Sequence, residues 1–169
     1  MKKYFAFGLI LFSLVGFAQN KVKEIQNTID KEVWKPFQKA FETLDGKALN
    51  ATYAKEVLRA TPNGIDTNNA FKAANLQRFE QNKKDGVAIK LDFWFDSRRT
   101  NKETSYEVGF YRIGFTDANA QTNYSYGQFH IVLKRINGVW KISQDWDTDT
   151  INGVKISSAD FKKHLPLKF

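Results

Sequence analysis

The sequence predicts an α+β domain, and three observations carry that expectation. Apolar residues recur at helical spacing through the first half, the apolar period drops to two at about residue 87, and an Asn-Gly pair joins two of the later strand runs. Helices first and a run of antiparallel strands afterwards is an α+β order, not an alternation of βαβ units. At 169 residues the chain suits one domain with a core of its own.

Residues 1–18 read as an export leader. Lys2 and Lys3 supply the positive start, residues 4–17 are uncharged and largely apolar, and Gly16 and Ala18 are the small residues a processing enzyme requires. The apolar run is shorter than the ~20 residues of a spanning helix, and polar Gln19 and Asn20 follow it directly. The expectation is cleavage after Ala18, a single domain over 19–169, and a periplasmic or secreted protein with no membrane contact after cleavage.

Val22, Ile25, Ile29, Val33, Phe37, Phe41 and Leu44 form one helical stripe over about 21–45. Pro36 lies inside it, so the helix kinks there or restarts with Pro in its first turn. Asp45-Gly46 ends it, a shorter helical piece covers Lys47 to Tyr53, and Glu56 to Arg59 suit a brief strand closed by Thr61-Pro62-Asn63-Gly64. Asp66 or Thr67 then caps a helix to about Lys84, with Phe71, Ala74 and Phe79 facing inward and Gly86 as its stop. From Val87 the residues Ile89, Leu91, Phe93 and Phe95 alternate with polar neighbours and Trp94, as in a half-buried strand. Further strand runs cover about 104–115, 126–136 and 139–147.

The last hairpin takes a sharper expectation. A two-residue Asn137-Gly138 turn sets Ile136 opposite Val139, and each further pair follows by counting. Arg135 then meets Trp140, Leu133 meets Ile142, Ile131 meets Gln144 and Phe129 meets Trp146 on an apolar face. Lys134 meets Lys141, Val132 meets Ser143, His130 meets Asp145 and Gln128 meets Asp147 on a polar one. If Val108 and Phe110 share the apolar face, Tyr106 does too, and Glu107 and Tyr111 fall on the polar face.

This layout resembles the nuclear transport factor 2-like superfamily, in particular its SnoaL-like and ketosteroid-isomerase-like members and their exported relatives. The resemblance rests on the helix Ile29 to Gly46, on Leu49 to Ala54 leading to Pro62-Asn63-Gly64, and on Thr104 to Tyr111. Tyr126 to Phe129, Asn137 to Ile142 and Asp145-Trp146-Asp147 complete it. It implies a cystatin-like cone, in which a strongly curved antiparallel sheet wraps the N-terminal helices and leaves a deep pocket between them. It also implies a homodimer through the outer sheet face. Relatives often carry an acidic residue after the Tyr-Ala pair, where this chain has Lys55 and then Glu56.

The chemistry is narrowed chiefly by exclusion. Without Cys there is no disulfide scaffold, thiolate zinc site or thiol nucleophile, and two His cannot make a three-His metal site. Phosphate loops, nucleophile elbows and paired-His zinc helices are also missing from the sequence. Asp145, Asp147 and Asp149 imitate the start of a calcium loop, but Thr150 stands where that loop needs Gly and Ile156 where it needs Glu. The expectation is therefore no metal and no cofactor. The formal charge of +8 comes from scattered basic residues, two of which leave with the leader, and is read as solvated surface and not as a nucleic-acid site. Two glycosylation sequons, Asn50-Ala51-Thr52 and Asn123-Tyr124-Ser125, matter only in a eukaryotic secretory pathway.

Two function classes stay open. One is a binding module for a small apolar or amphipathic molecule, with Trp34, Tyr53, Phe110, Phe129 and Trp146 lining the pocket. The other is a cofactor-independent isomerase or dehydratase in which Asp145 fixes the tautomer of His130 for acid–base work. An enzyme of that kind needs a titratable group inside the pocket, whereas a binder needs only shape and rings.

Overall fold

The computed structural model describes residues 19–169, so the leader and its cleavage site lie outside the described residues. Helix α1 is described from residue 19 to 42 and widens into a π-helical turn at Asp30–Trp34. The turn sits immediately before Pro36, which has no N–H to give and a ring that crowds the preceding turn. The strain at Pro36 is thus taken up by one wide turn, and the helix neither breaks nor restarts. Helix α2 (Gly46–Ala51) is capped by Asp45, whose side chain accepts from the Ala48 N–H at 2.9 Å.

Strand β1 (Tyr53–Thr61) is longer than its sequence suggested and turns into β2 (Gly64–Asp66). Helix α3 (Ala70–Lys84) starts after Asn69 in a left-handed conformation, and the Asp66 carboxylate takes the Phe71 N–H at 2.7 Å. That bond holds the Asp66 carboxyl below its ordinary range. The buried face of α3 is Phe71, Asn75 and Phe79; Ala74, expected inside, is exposed. Strands β3 (Ala88–Thr100), β4 (Thr104–Thr116), β5 (Thr122–Ile136) and β6 (Val139–Thr148) complete a six-stranded sheet in the order β2-β1-β6-β5-β4-β3. The β1–β6 pairing is parallel and the other neighbours are antiparallel, so the sheet is mixed.

The concave face of the sheet and the three helices enclose the main core, built around Ile29, Val33, Trp34, Leu49, Leu133 and Trp140. Ile89, Leu91 and Phe93 point into it from β3, as the period-two pattern requires. A buried polar knot ties α1 to the sheet. Glu107, fully inaccessible, receives Trp34 Nε1 at 2.7 Å, Ser105 Oγ at 2.8 Å and Arg98 Nη2 at 3.1 Å. Arg98 also holds Asp30 at 2.7 Å. Burial raises the Glu107 carboxyl despite these three donors.

The Asn137-Gly138 turn forms with both residues at positive φ, and the first four pairs of the hairpin run as counted, from Ile136–Val139 to Leu133–Ile142. There a β-bulge intervenes. Val132 pairs with Gln144 and leaves Ser143 over, its hydroxyl donating to the Val132 carbonyl at 3.0 Å. Every later pair shifts by one: Ile131 meets Asp145, His130 meets Trp146 and Phe129 meets Asp147. The expected His130–Asp145 pair is therefore absent, with the two side chains on opposite faces. The faces of β4 are also reversed from expectation. Glu107 and Tyr111 lie on the concave face, while Tyr106, Val108 and Phe110 lie on the convex one.

Part of the convex face is covered by the C-terminal segment. A small hairpin, β7 (Thr150–Ile151) with β8 (Val154–Lys155), leads to helix α4 (Ser158–Phe161), which begins with a Ser157–Asp160 capping box. Ile156 and Phe161 pack on Trp94 and Phe110, and Trp94 Nε1 donates to the Phe161 carbonyl at 2.9 Å. The tail then rounds the β3 edge, where the Leu167 N–H bonds the Phe93 carbonyl at 2.9 Å. An otherwise open sheet edge is thereby covered.

Candidate functional site

The helices do not fill the concavity. A chamber of about 200 Å³ remains between α1, α3 and the sheet. Its apolar walls are Trp34, Phe37, Phe41, Leu91, Phe93 and Phe129. Trp34 anchors this ring cluster, with centroids 5.3 Å from both Phe93 and Phe129 and 5.8 Å from Phe37. Its own N–H is taken by Glu107, which fixes the indole in place.

The opposite wall is polar. Tyr53 Oη donates to Asp145 Oδ2 at 2.8 Å, and Arg59 Nε reaches the same oxygen at 3.2 Å. Arg59 Nη2 bridges to Asp147 Oδ2 at 3.3 Å. The Ser143 bulge is what brings both aspartates inside, because without it they would lie on the convex face. Parallel pairing of β1 with β6 sets Arg59 directly beside Asp145. Burying Asp145 is costly, and the donors on it offset that cost at about 1.5–3 kcal/mol for each charge-assisted bond.

The electrostatics differ between the two acids. Asp147 is pushed above the ordinary carboxylate value by burial and then by repulsion from Asp145, with Arg59 opposing. Tyr111, facing the same chamber, is raised by burial and by Asp147. Tyr53 is raised by burial and by Asp145, so it stays a protonated donor. Its position depends on the rings around it, at 5.0 Å from Phe71 and 6.2 Å from Phe37. The Tyr111 ring lies flat across Gly127, where a Cβ would overlap it.

A third group sits at the rim. Asn50 Nδ2 donates to the Lys72 carbonyl at 2.8 Å, Asn75 Nδ2 donates to Asn50 Oδ1 at 3.0 Å, and Arg78 Nη2 donates to Asn75 Oδ1 at 3.1 Å. The Arg78 guanidinium also lies 5.2 Å from the Phe79 ring and 5.8 Å from Phe41. Asn50 is thus tied into the fold by both ends of its amide.

Of the five aromatic residues expected around a pocket, Trp34, Tyr53 and Phe129 line the chamber. Phe110 does not: it stacks on Trp94 at 4.7 Å on the convex face. Trp146 is also convex and 41% exposed, edge-on to His130 at 4.6 Å. His130 bonds Tyr106 Oη through Nδ1, and its partial burial lowers its pKa. Asp145 reaches the chamber without its expected His partner. Sequence reasoning missed Arg59, Arg78, Asp147 and Tyr111. Arg59 ended a strand read as brief, with no partner strand assigned to it, and Arg78 lay on a helix whose inward face was judged by its apolar residues alone. Among the described residues, no group of three His, Asp or Glu side chains is placed to hold a metal ion.

No family model and no curated protein matches the sequence. Solved structures do match. A conserved protein from Planctomyces limnophilus is 18% identical with a TM-score of 0.61 over 75% of this chain and 96% of its own. An NTF2-like protein with a cystatin-like fold from Novosphingobium aromaticivorans is 13% identical with a TM-score of 0.61, covering 85% and 90%. A ketosteroid isomerase-like protein from Erwinia carotovora is 15% identical with a TM-score of 0.54, covering 78% and 95%. At these identities the likeness is one of fold, and the fold of this chain is the nuclear transport factor 2-like cone.

Proposed function

We propose that this protein binds a small amphipathic molecule in the chamber. Its apolar body lies against Trp34, Phe93 and Phe129, and its polar head meets the polar groups of the lining, Tyr53, Arg59, Asp147 and Arg78. The observation that carries this reading is a single chamber whose walls change from aromatic rings to ionised side chains. At about 200 Å³ the chamber is smaller than the ~300–1,000 Å³ usual for drug-sized ligands, yet larger than the ~150 Å³ that holds benzene. The ligand is thus about one ring in size. Calorimetric titration with benzyl alcohol tests the reading. Wild type binds it, Ile113→Trp, at a residue of the chamber wall, fills the chamber and abolishes binding, and Trp146→Ala leaves binding unchanged. Binding that survives in Ile113→Trp removes the proposal.

A second reading is supported by the raised Asp147 carboxyl, which is a titratable group facing the chamber. In that reading the chain carries out cofactor-independent isomerisation or dehydration, and Asp147 exchanges the proton in the role first given to His130. Both readings include export, for which the leader over residues 1–18 is the support.

A further inference from the structure

Resting on the chamber as a ligand site, we infer that its ligand is a monocarboxylate with a ring-sized apolar body, and that Arg78 is the residue that receives the carboxylate. The chamber holds two guanidiniums in different states. Arg59 is occupied, shared between Asp145 at 3.2 Å and Asp147 at 3.3 Å. Arg98 and Arg112, outside the chamber, are likewise paired with carboxylates. Among the described residues Arg78 has no carboxylate within ion-pair distance, and its one protein acceptor is Asn75 Oδ1.

Arg78 is nonetheless held. The Asn50–Asn75 relay fixes its acceptor, and the rings of Phe79 and Phe41 flank the guanidinium. An arginine placed only for solubility needs no such support. The guanidinium fork left after one bond matches a carboxylate in geometry and charge. Exposed at the rim, it receives the charged end of a ligand whose body points down toward Trp34.

The acids in the chamber limit the ligand's charge. Asp145 Oδ2 already receives Tyr53 and Arg59, and Asp147 Oδ2 receives Arg59, so a cationic head finds only the Oδ1 atoms open and meets the Arg78 charge on its way in. A dianion such as a phosphate monoester would meet two standing carboxylates at close range. A monoanion meets less repulsion, and less again when Asp147, whose carboxyl is raised, takes up a proton.

Three probes of one ring separate the possibilities: benzoate, benzyl alcohol and benzylamine, titrated calorimetrically into wild type and Arg78→Gln. Wild type should bind benzoate best and benzylamine worst. Arg78→Gln should lose about tenfold for benzoate, the scale of one charge-assisted bond at a partly exposed site, and keep its affinity for benzyl alcohol. The retained benzyl alcohol affinity reports that the variant is folded. If benzyl alcohol or benzylamine binds wild type as well as benzoate does, or if Arg78→Gln keeps the benzoate preference, the carboxylate assignment is wrong while the chamber stands. If none of the three binds, the chamber reading falls with it.

Discussion

Asp147 is a residue the fold holds at a cost. It is raised above its ordinary value near 3.8 by burial first and Asp145 second. A raised folded pKa means that the folded state holds the proton more tightly than the unfolded one. The contribution of Asp147 to stability is therefore greatest below about pH 3.8 and declines as pH rises through the folded pKa. Asp147→Asn removes that charge and keeps an oxygen for Arg59, so it should stabilise the protein at pH 7 by up to about 1 kcal/mol. The gain should vanish toward pH 3.5. Urea unfolding of both proteins across this range would read it, and a variant less stable at neutral pH would show that Asp147 is a structural ion pair. A destabilised acid facing a cavity is the pattern expected where a ligand or a reaction uses it.

At the scale of elements, the buried charges that join α1 to the sheet are those of Glu107 and Arg98. Arg98→Met leaves a fully buried carboxylate without its cation and should cost roughly 3–5 kcal/mol. The penalty should shrink as pH falls and Glu107 takes its proton, because the raised carboxyl is then the preferred form. Chemical denaturation at pH 7 and pH 4.5 measures both values, and a loss independent of pH would assign the effect to the Arg98 contact with the Phe95 ring. The elements themselves were largely legible: the β3 stripe, the Asn137-Gly138 turn and the Phe71–Phe79 face of α3 follow local periodicity. What periodicity does not carry is the bulge at Ser143 or the parallel pairing of β1 with β6. A bulge of this kind needs no glycine and no proline, so nothing in Ile142-Ser143-Gln144 announces it. That one residue misplaced Asp145 and Trp146 together. Phe110 went wrong for another reason, since a residue on the far face of the sheet is buried by a tail that follows fifty residues later.

The molecule as a whole closes its core without a disulfide, since the sequence has no Cys. Its C-terminal segment does part of that work by binding β3 twice, through Trp94 on the convex face and through the Phe93 carbonyl at the edge. Export is a matter for the whole molecule too. Intact mass of the protein recovered from its native host should correspond to a chain beginning at Gln19. Recovery of residues 1–18 still attached, in the membrane fraction, would contradict it.

The bulge at Ser143 has a consequence for how such a protein can change by descent. Ser143 is the residue left over between Leu133–Ile142 and Val132–Gln144, so loss of its codon would straighten β6 and leave every later pair as it stands. Asp145 and Asp147 would leave the chamber, and Trp146 would enter it, only if Ser143 itself paired with Val132 at unchanged length. A lineage can thus shed the bulge in a single deletion and keep its charged chamber, while a slip of the register with no change in length would make that chamber greasy.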